Sequence, residues 1–135
     1  MYTPISLRSL SIIMAAGLLV AGCTSAVPQA PQARVYFVTP ATGAVVASPV
    51  RVTWGAETFI VEPAGEVKAG HGHLHIMVDT ECVEVGHGIP KDETHLHYGQ
   101  GQLEADLALA KGDHTLCLQA ADGNHIALAG PGMTE

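Results

Sequence analysis

The chemistry-bearing residues of this chain are its histidines. All eight lie between residues 71 and 125, against six Lys+Arg in the whole length of 135 residues. They run His71-Gly72-His73-Leu74-His75, then His87, then His95-Leu96-His97, then His114 and His125. In an extended strand residues i and i+2 point to the same side, so each H-x-H step sets two imidazoles on one face. Two such steps on neighbouring strands could bring together three or four nitrogen ligands, the set β-scaffolds use to hold zinc or copper. His73, His75, His95 and His97 are therefore candidate metal ligands, with Asp79 or His125 to orient them from behind. The turn Asp122-Gly123-Asn124-His125 would deliver His125 to a sheet edge. Met77 shares the histidine face and would either add a soft thioether favouring copper or simply pack.

Two other readings compete. Buried histidines can form a metal-free hydrogen-bond network, for which Asp79, Asp92, Glu93 and Asp122 are the nearby partners. Such a cluster would still respond to mild acid, since imidazole titrates near pH 6.5. A zinc hydrolase would use three histidines with Glu93 as general base. The chain has no HExxH, no GxSxG and no Cys/His dyad, so a non-catalytic protein is expected. His71 and His87, flanked by glycines, read as exposed loop residues, and His114 as structural.

The elements that must position these side chains read as short strands. Residues 34–39 (RVYFVT) are β-branched and aromatic and stop at Pro40. Val50, Val52 and Trp54 alternate inward along 50–54, and 58–61 form a further short run. From His73 to Asp79, Leu74, Ile76 and Val78 share one face while His73, His75, Met77 and Asp79 share the other. Residues 102–109 put Leu103, Ala105, Leu107 and Leu109 together, and 114–120 pair Leu116 with Leu118. No helical stripe follows residue 23, so six or more strands with Gly/Pro turns predict a single antiparallel β-sandwich of Ig-like type. Its large-residue packing falls to Trp54, Phe37, Phe59, Tyr36 and Tyr98.

Before this domain, residues 1–22 carry one basic residue, Arg8, and an uncharged apolar run over 10–22 that leads to Cys23. A positive start, a short apolar stretch and small residues before a cleavage point make an export signal. The run is shorter than the ~20 residues a membrane span needs. Val20-Ala21-Gly22-Cys23 resembles the lipobox of bacterial lipoproteins, which implies acylation of Cys23, a membrane-anchored chain and, with Thr24 next, sorting to the periplasmic side of the outer membrane. Residues 23–33 would be the lipidated cysteine and a Pro/Ala/Gln-rich tether, and 34–135 the domain. Export leaves Cys82 and Cys117 as an even pair in an oxidising compartment, so a disulfide closing a loop of about 36 residues is expected, worth about 3.8 kcal/mol in the chain-entropy model. Metal thiolates are the alternative, but neither cysteine has a CxxC partner. A net charge of −7 excludes a nucleic-acid partner.

Several motifs together resemble one family. Val35-Tyr36-Phe37-Val38-Thr39-Pro40 with Gly43, Ser48-Pro49-Val50-Arg51-Val52, the run 70–79 (GHGHLHIMVD), the run 89–102 (IPKDETHLHYGQGQ) and the run 112–120 (GDHTLCLQA) are similar, in that order, to the DUF4399 family. The resemblance covers nearly all of residues 34–128. It implies a small exported Ig-like domain without an established activity, whose characteristic histidines correspond to His73, His75, His95, His97 and His125. It also implies a closing strand beyond His125, whereas this chain stops at Gly130-Pro131-Gly132-Met133-Thr134-Glu135. A missing strand would leave an exposed sheet edge open to a protein partner.

Overall fold

The computed structural model describes residues 30–130 and 132–135. Cys23 and the export signal lie outside the described residues. Seven strands form: β1 (Arg34–Thr39), β2 (Val50–Glu57), β3 (Ile60–Val61), β4 (His71–Val78), β5 (His95–Tyr98), β6 (Glu104–Leu107) and β7 (Leu116–Ala121). Among the described residues there is no helix. One sheet has the order β1-β2-β6. In the other, β4 is central: β5 and the short parallel β3 lie on one side and β7 on the other.

The alternation expected of β2 and β4 is what joins the two sheets. Val52 and Trp54 from one sheet and Leu74, Ile76 and Val78 from the other meet in a shared core with Val35, Leu107, Leu118 and Ala120. Trp54 packs on Tyr98 with ring centroids 4.7 Å apart, and its indole N–H donates to the Gln102 carbonyl at 3.0 Å. The domain is an all-β sandwich.

Several boundaries differ from the sequence reading, each for a local reason. Thr58 takes a left-handed φ of 54°, so the third strand starts only at Ile60. β4 ends at Val78 because Asp79 also turns left-handed, at φ 57°, and its carboxylate accepts from Thr115 N at 2.9 Å. Leu103, expected inward, is exposed: it precedes β6, where its carbonyl accepts from Trp54 N. Tyr36 also leaves the core, lying against Gly55 on the outer face with the Arg34 guanidinium 4.8 Å from its ring centre.

The edge expected to stand open is occupied. Residues beyond His125 return along β7, where Leu128 N donates to the Ala120 carbonyl at 3.0 Å and Ala120 N to the Met133 carbonyl at 2.9 Å. Leu118 and Glu135 exchange backbone hydrogen bonds of 2.7 and 2.9 Å, and Glu135 also accepts from Phe37 N. This irregular tail does the work of a closing strand, joining only as isolated bridges because Gly130 and Gly132 carry positive φ.

Candidate metal centre

The histidine site lies on the outer face of the β4 sheet, away from the sandwich core. Since Leu74, Ile76 and Val78 face inward, His73, His75 and Met77 must face out. That face is nonetheless covered. Met77 and Ala121 pack with Ile89 and Ala127 in a second small apolar cluster, flanked by Cys82, Val83 and Cys117. His73 and His75, on the same face of β4, are fully buried.

Register decides which other histidines reach this place. His97 on β5 lies directly opposite His75, and Met77 lies opposite His95. His125 enters from the turn after β7, built by the Asp122 carboxylate, which accepts from Asn124 N at 2.8 Å and Ile126 N at 3.0 Å. His125 itself holds φ at 66°, in the left-handed region that few residues other than glycine occupy. The outcome is four imidazoles packed together. Ring centroids of His73, His75, His97 and His125 are separated by 4.7 to 5.9 Å.

Gly99 makes this packing feasible. A Cβ at that position would run into the His97 ring, so the missing side chain is where the imidazole lies. Gly72 allows similarly close approach of β4 to the Ala121 carbonyl. Neither role was read from the sequence, although a glycine two residues after His97 occupies the same strand face and was the available signal.

The nitrogen chemistry is unusual for a buried site. His73 Nε2 and His75 Nε2 are 3.0 Å apart, and His97 Nε2 and His125 Nε2 are 3.1 Å apart. In each pair one ring N–H can donate to the other ring's lone pair. The Nδ1 atoms of His73 and His75 are buried without any hydrogen-bond partner. An unpartnered buried polar atom costs on the order of 1–3 kcal/mol. Burial, and after it the charges of His125 and His97, pushes His73 down to about 4; burial, then His73, His97 and His125, pushes His75 down to about 3. His97 is lowered as well, chiefly by burial. Burial thus favours the neutral form of His73, His75 and His97, the form in which an imidazole can ligate a cation.

One nitrogen from each of His73, His97 and His125 lies within 4.8 Å of the others, so these three could hold a metal ion. A tetrahedral ion with ~2.0–2.1 Å bonds wants donors about 3.3 Å apart, a contraction of roughly 1.5 Å at most. His75, which abuts His73, stands beside this trio as a fourth nitrogen source.

The remaining histidines behave differently, for each meets a carboxylate. His95 is bound through Nδ1 to Asp92 at 2.8 Å, and this interaction leads the causes that hold the Asp92 carboxyl well below its usual range. His71 meets Glu62 at 3.0 Å, His87 meets Glu84 at 3.8 Å, and His114 meets Asp79 at 2.7 Å. Of the five histidines expected at the site, His73, His75, His97 and His125 come together, while His95 stands outside the group on Asp92. Asp79 serves His114 instead of the cluster, and Glu93 lines a cleft between the sheets beside Leu96, Tyr98 and Leu107. Met77 packs among apolar residues. Cys82 and Cys117 form a disulfide with Cα atoms 5.7 Å apart, next to the same cluster.

Sandwich and site together define an all-β domain that carries a cluster of four histidines on the outer face of one sheet. A family model described as a domain of unknown function (DUF4399) matches residues 52–135, and the chain belongs to that family. The match begins inside β2 and includes every histidine and the C-terminal tail. No curated protein and no solved structure matches the chain.

Proposed function

We propose that this protein binds a transition metal, Cu²⁺ or Zn²⁺, through His73, His97 and His125 with His75 completing the site, and that it does so as a lipid-anchored protein of the bacterial cell envelope. One contrast carries the reading. Three histidines are hydrogen-bonded to carboxylates, as structural histidines usually are, whereas the rings of His73, His75, His97 and His125, the first two fully buried and the others half-buried, are hydrogen-bonded only to each other. A metal-free network would supply the carboxylate or backbone partners that His73 Nδ1 and His75 Nδ1 lack. An all-imidazole set suits Cu²⁺ and Zn²⁺ better than hard cations, which prefer oxygen. The role is binding; Glu93, the candidate base for a hydrolase, lines the cleft between the sheets.

Calorimetric titration of the detergent-solubilised full chain with Cu²⁺ and with Zn²⁺ tests this. Binding at one site per chain is expected. It should be weakened at least about 100-fold in His97→Ala and His125→Ala, more than the loss of an outer partner of a ligand costs. His95→Ala should leave it unchanged. Absence of binding, or equal weakening by all three substitutions, would sink the proposal.

A further inference from the structure

Residues 82–89, which pack against Met77 on the histidine face of β4, are fastened at both ends. At one end Cys82 is bonded to Cys117 of β7. The Gln119 amide clamps the next residue in both directions, accepting from Val83 N at 2.9 Å and donating to the Val83 carbonyl at 2.7 Å. At the other end Ile89 N donates to the His125 carbonyl at 2.8 Å, and Gly86 N and the His87 carbonyl both bond to Ala127 at 2.9 Å. Residues 82–89 therefore form a bridge from the disulfide to the segment that carries one of the cluster's imidazoles. His125 depends on that bridge, because its left-handed backbone persists only while its surroundings fix it.

We propose that the Cys82–Cys117 disulfide is a redox switch on the metal site. Closed, it holds residues 82–89 on β7 and keeps His125 within the cluster. Opened, it frees the bridge, releases His125 and lowers the affinity for metal. This inference rests on the metal-binding reading. Both cysteines are partly exposed, so a reductant reaches them without unfolding the domain. The reductant is a dithiol: its thiolate attacks one sulfur, the Cys82–Cys117 bond breaks, and a mixed disulfide forms. The second thiol then displaces that cysteine. Two electrons and two protons pass to the protein, leaving two cysteine thiols and an oxidised dithiol.

The coupling runs through backbone hydrogen bonds that can be watched individually. The full chain would be compared as purified and after reduction with dithiothreitol, alkylation with iodoacetamide and removal of the reagents. Zn²⁺ and Cu²⁺ affinity, amide hydrogen exchange and Trp54 fluorescence are then measured on both forms. The switch predicts about a tenfold or greater loss of affinity on reduction, within the usual range of coupling between sites. Exchange should rise at Gly86, Ile89 and Ala127 while the β1–β2 amides and Trp54, which sit in the sandwich, stay as they were. Unchanged affinity, or loss of the Trp54 signal with exchange rising everywhere, overturns the switch. If the oxidised chain takes up neither metal, the metal reading itself falls and the switch with it. A Cys82→Ala/Cys117→Ala variant should bind like the reduced form and ignore dithiothreitol; redox-sensitive binding in that variant would also overturn the proposal.

Discussion

At the scale of single residues, the telling distinction is between histidines of the same type in opposite surroundings. The Asp79 carboxylate, followed by the Ala110 carbonyl, raises His114 above the ordinary imidazole value, whereas burial drives His73 and His75 far below it. The sign of the consequence follows by linkage. His73 and His75 have folded pKa values of about 4 and about 3 against 6.5 in the unfolded chain, so acid protonates the unfolded chain first. Their contribution is full above pH 6.5 and is lost as pH falls through 6.5 towards 4 and then 3. The slope is at most about 1.4 kcal/mol per pH unit for each ring. Urea unfolding of the chain with chelator present should therefore give falling stability from pH 7 to 4.5, and the fall should shrink in His75→Phe. Asp79 and Asp92 are held below the usual carboxylate range and titrate lower, outside this window.

At the scale of elements, one strand does two jobs. β4 gives Leu74, Ile76 and Val78 to the sandwich and His73, His75 and Met77 to the outer cluster. That division was legible in its alternation, since period two leaves no other arrangement for an extended segment. Its partner β5 was less legible. His95 and His97 share a strand face by spacing, yet Asp92 captures the first and Gly99 opens a berth for the second. Gly99→Ala should displace the His97 ring. The expected outcome is a loss of about 1–3 kcal/mol in unfolding stability, typical of overpacking, together with weakened metal binding. Thermal unfolding with and without Zn²⁺ would measure both, and a variant with unaltered binding would separate His97 from the site.

At the scale of the whole molecule, the domain closes with very little regular structure. The tail to Glu135 pairs with β7 in place of a strand, and the disulfide and Gln119 fold residues 82–89 over the outer face. Among the described residues only five are aromatic, and Tyr36 lies on the outer face, so a covalent link compensates for a light core. The expected anchor at Cys23 belongs to this scale as well: with Arg8 removed along with the export signal, it would place an acidic domain of net charge −8 on a tether beside a membrane. Expressed in a Gram-negative host with labelled palmitate, the chain should incorporate label and sediment with membranes. Cys23→Ser should abolish both, and label retained by that variant would refute the anchor.

By itself the sequence determined the all-β class, the two faces of β4, the cysteine pair and the family, because strand periodicity, motif order and residue type are local properties written along the chain. Which four histidines meet was decided only by tertiary structure. His125 follows His97 by 28 residues, and nothing in that spacing predicts a contact. It is brought in by a left-handed turn after β7, and His95 is drawn off by an aspartate three residues before it. Site composition depends on strand register and on competition between neighbouring partners, and both are settled when the chain packs.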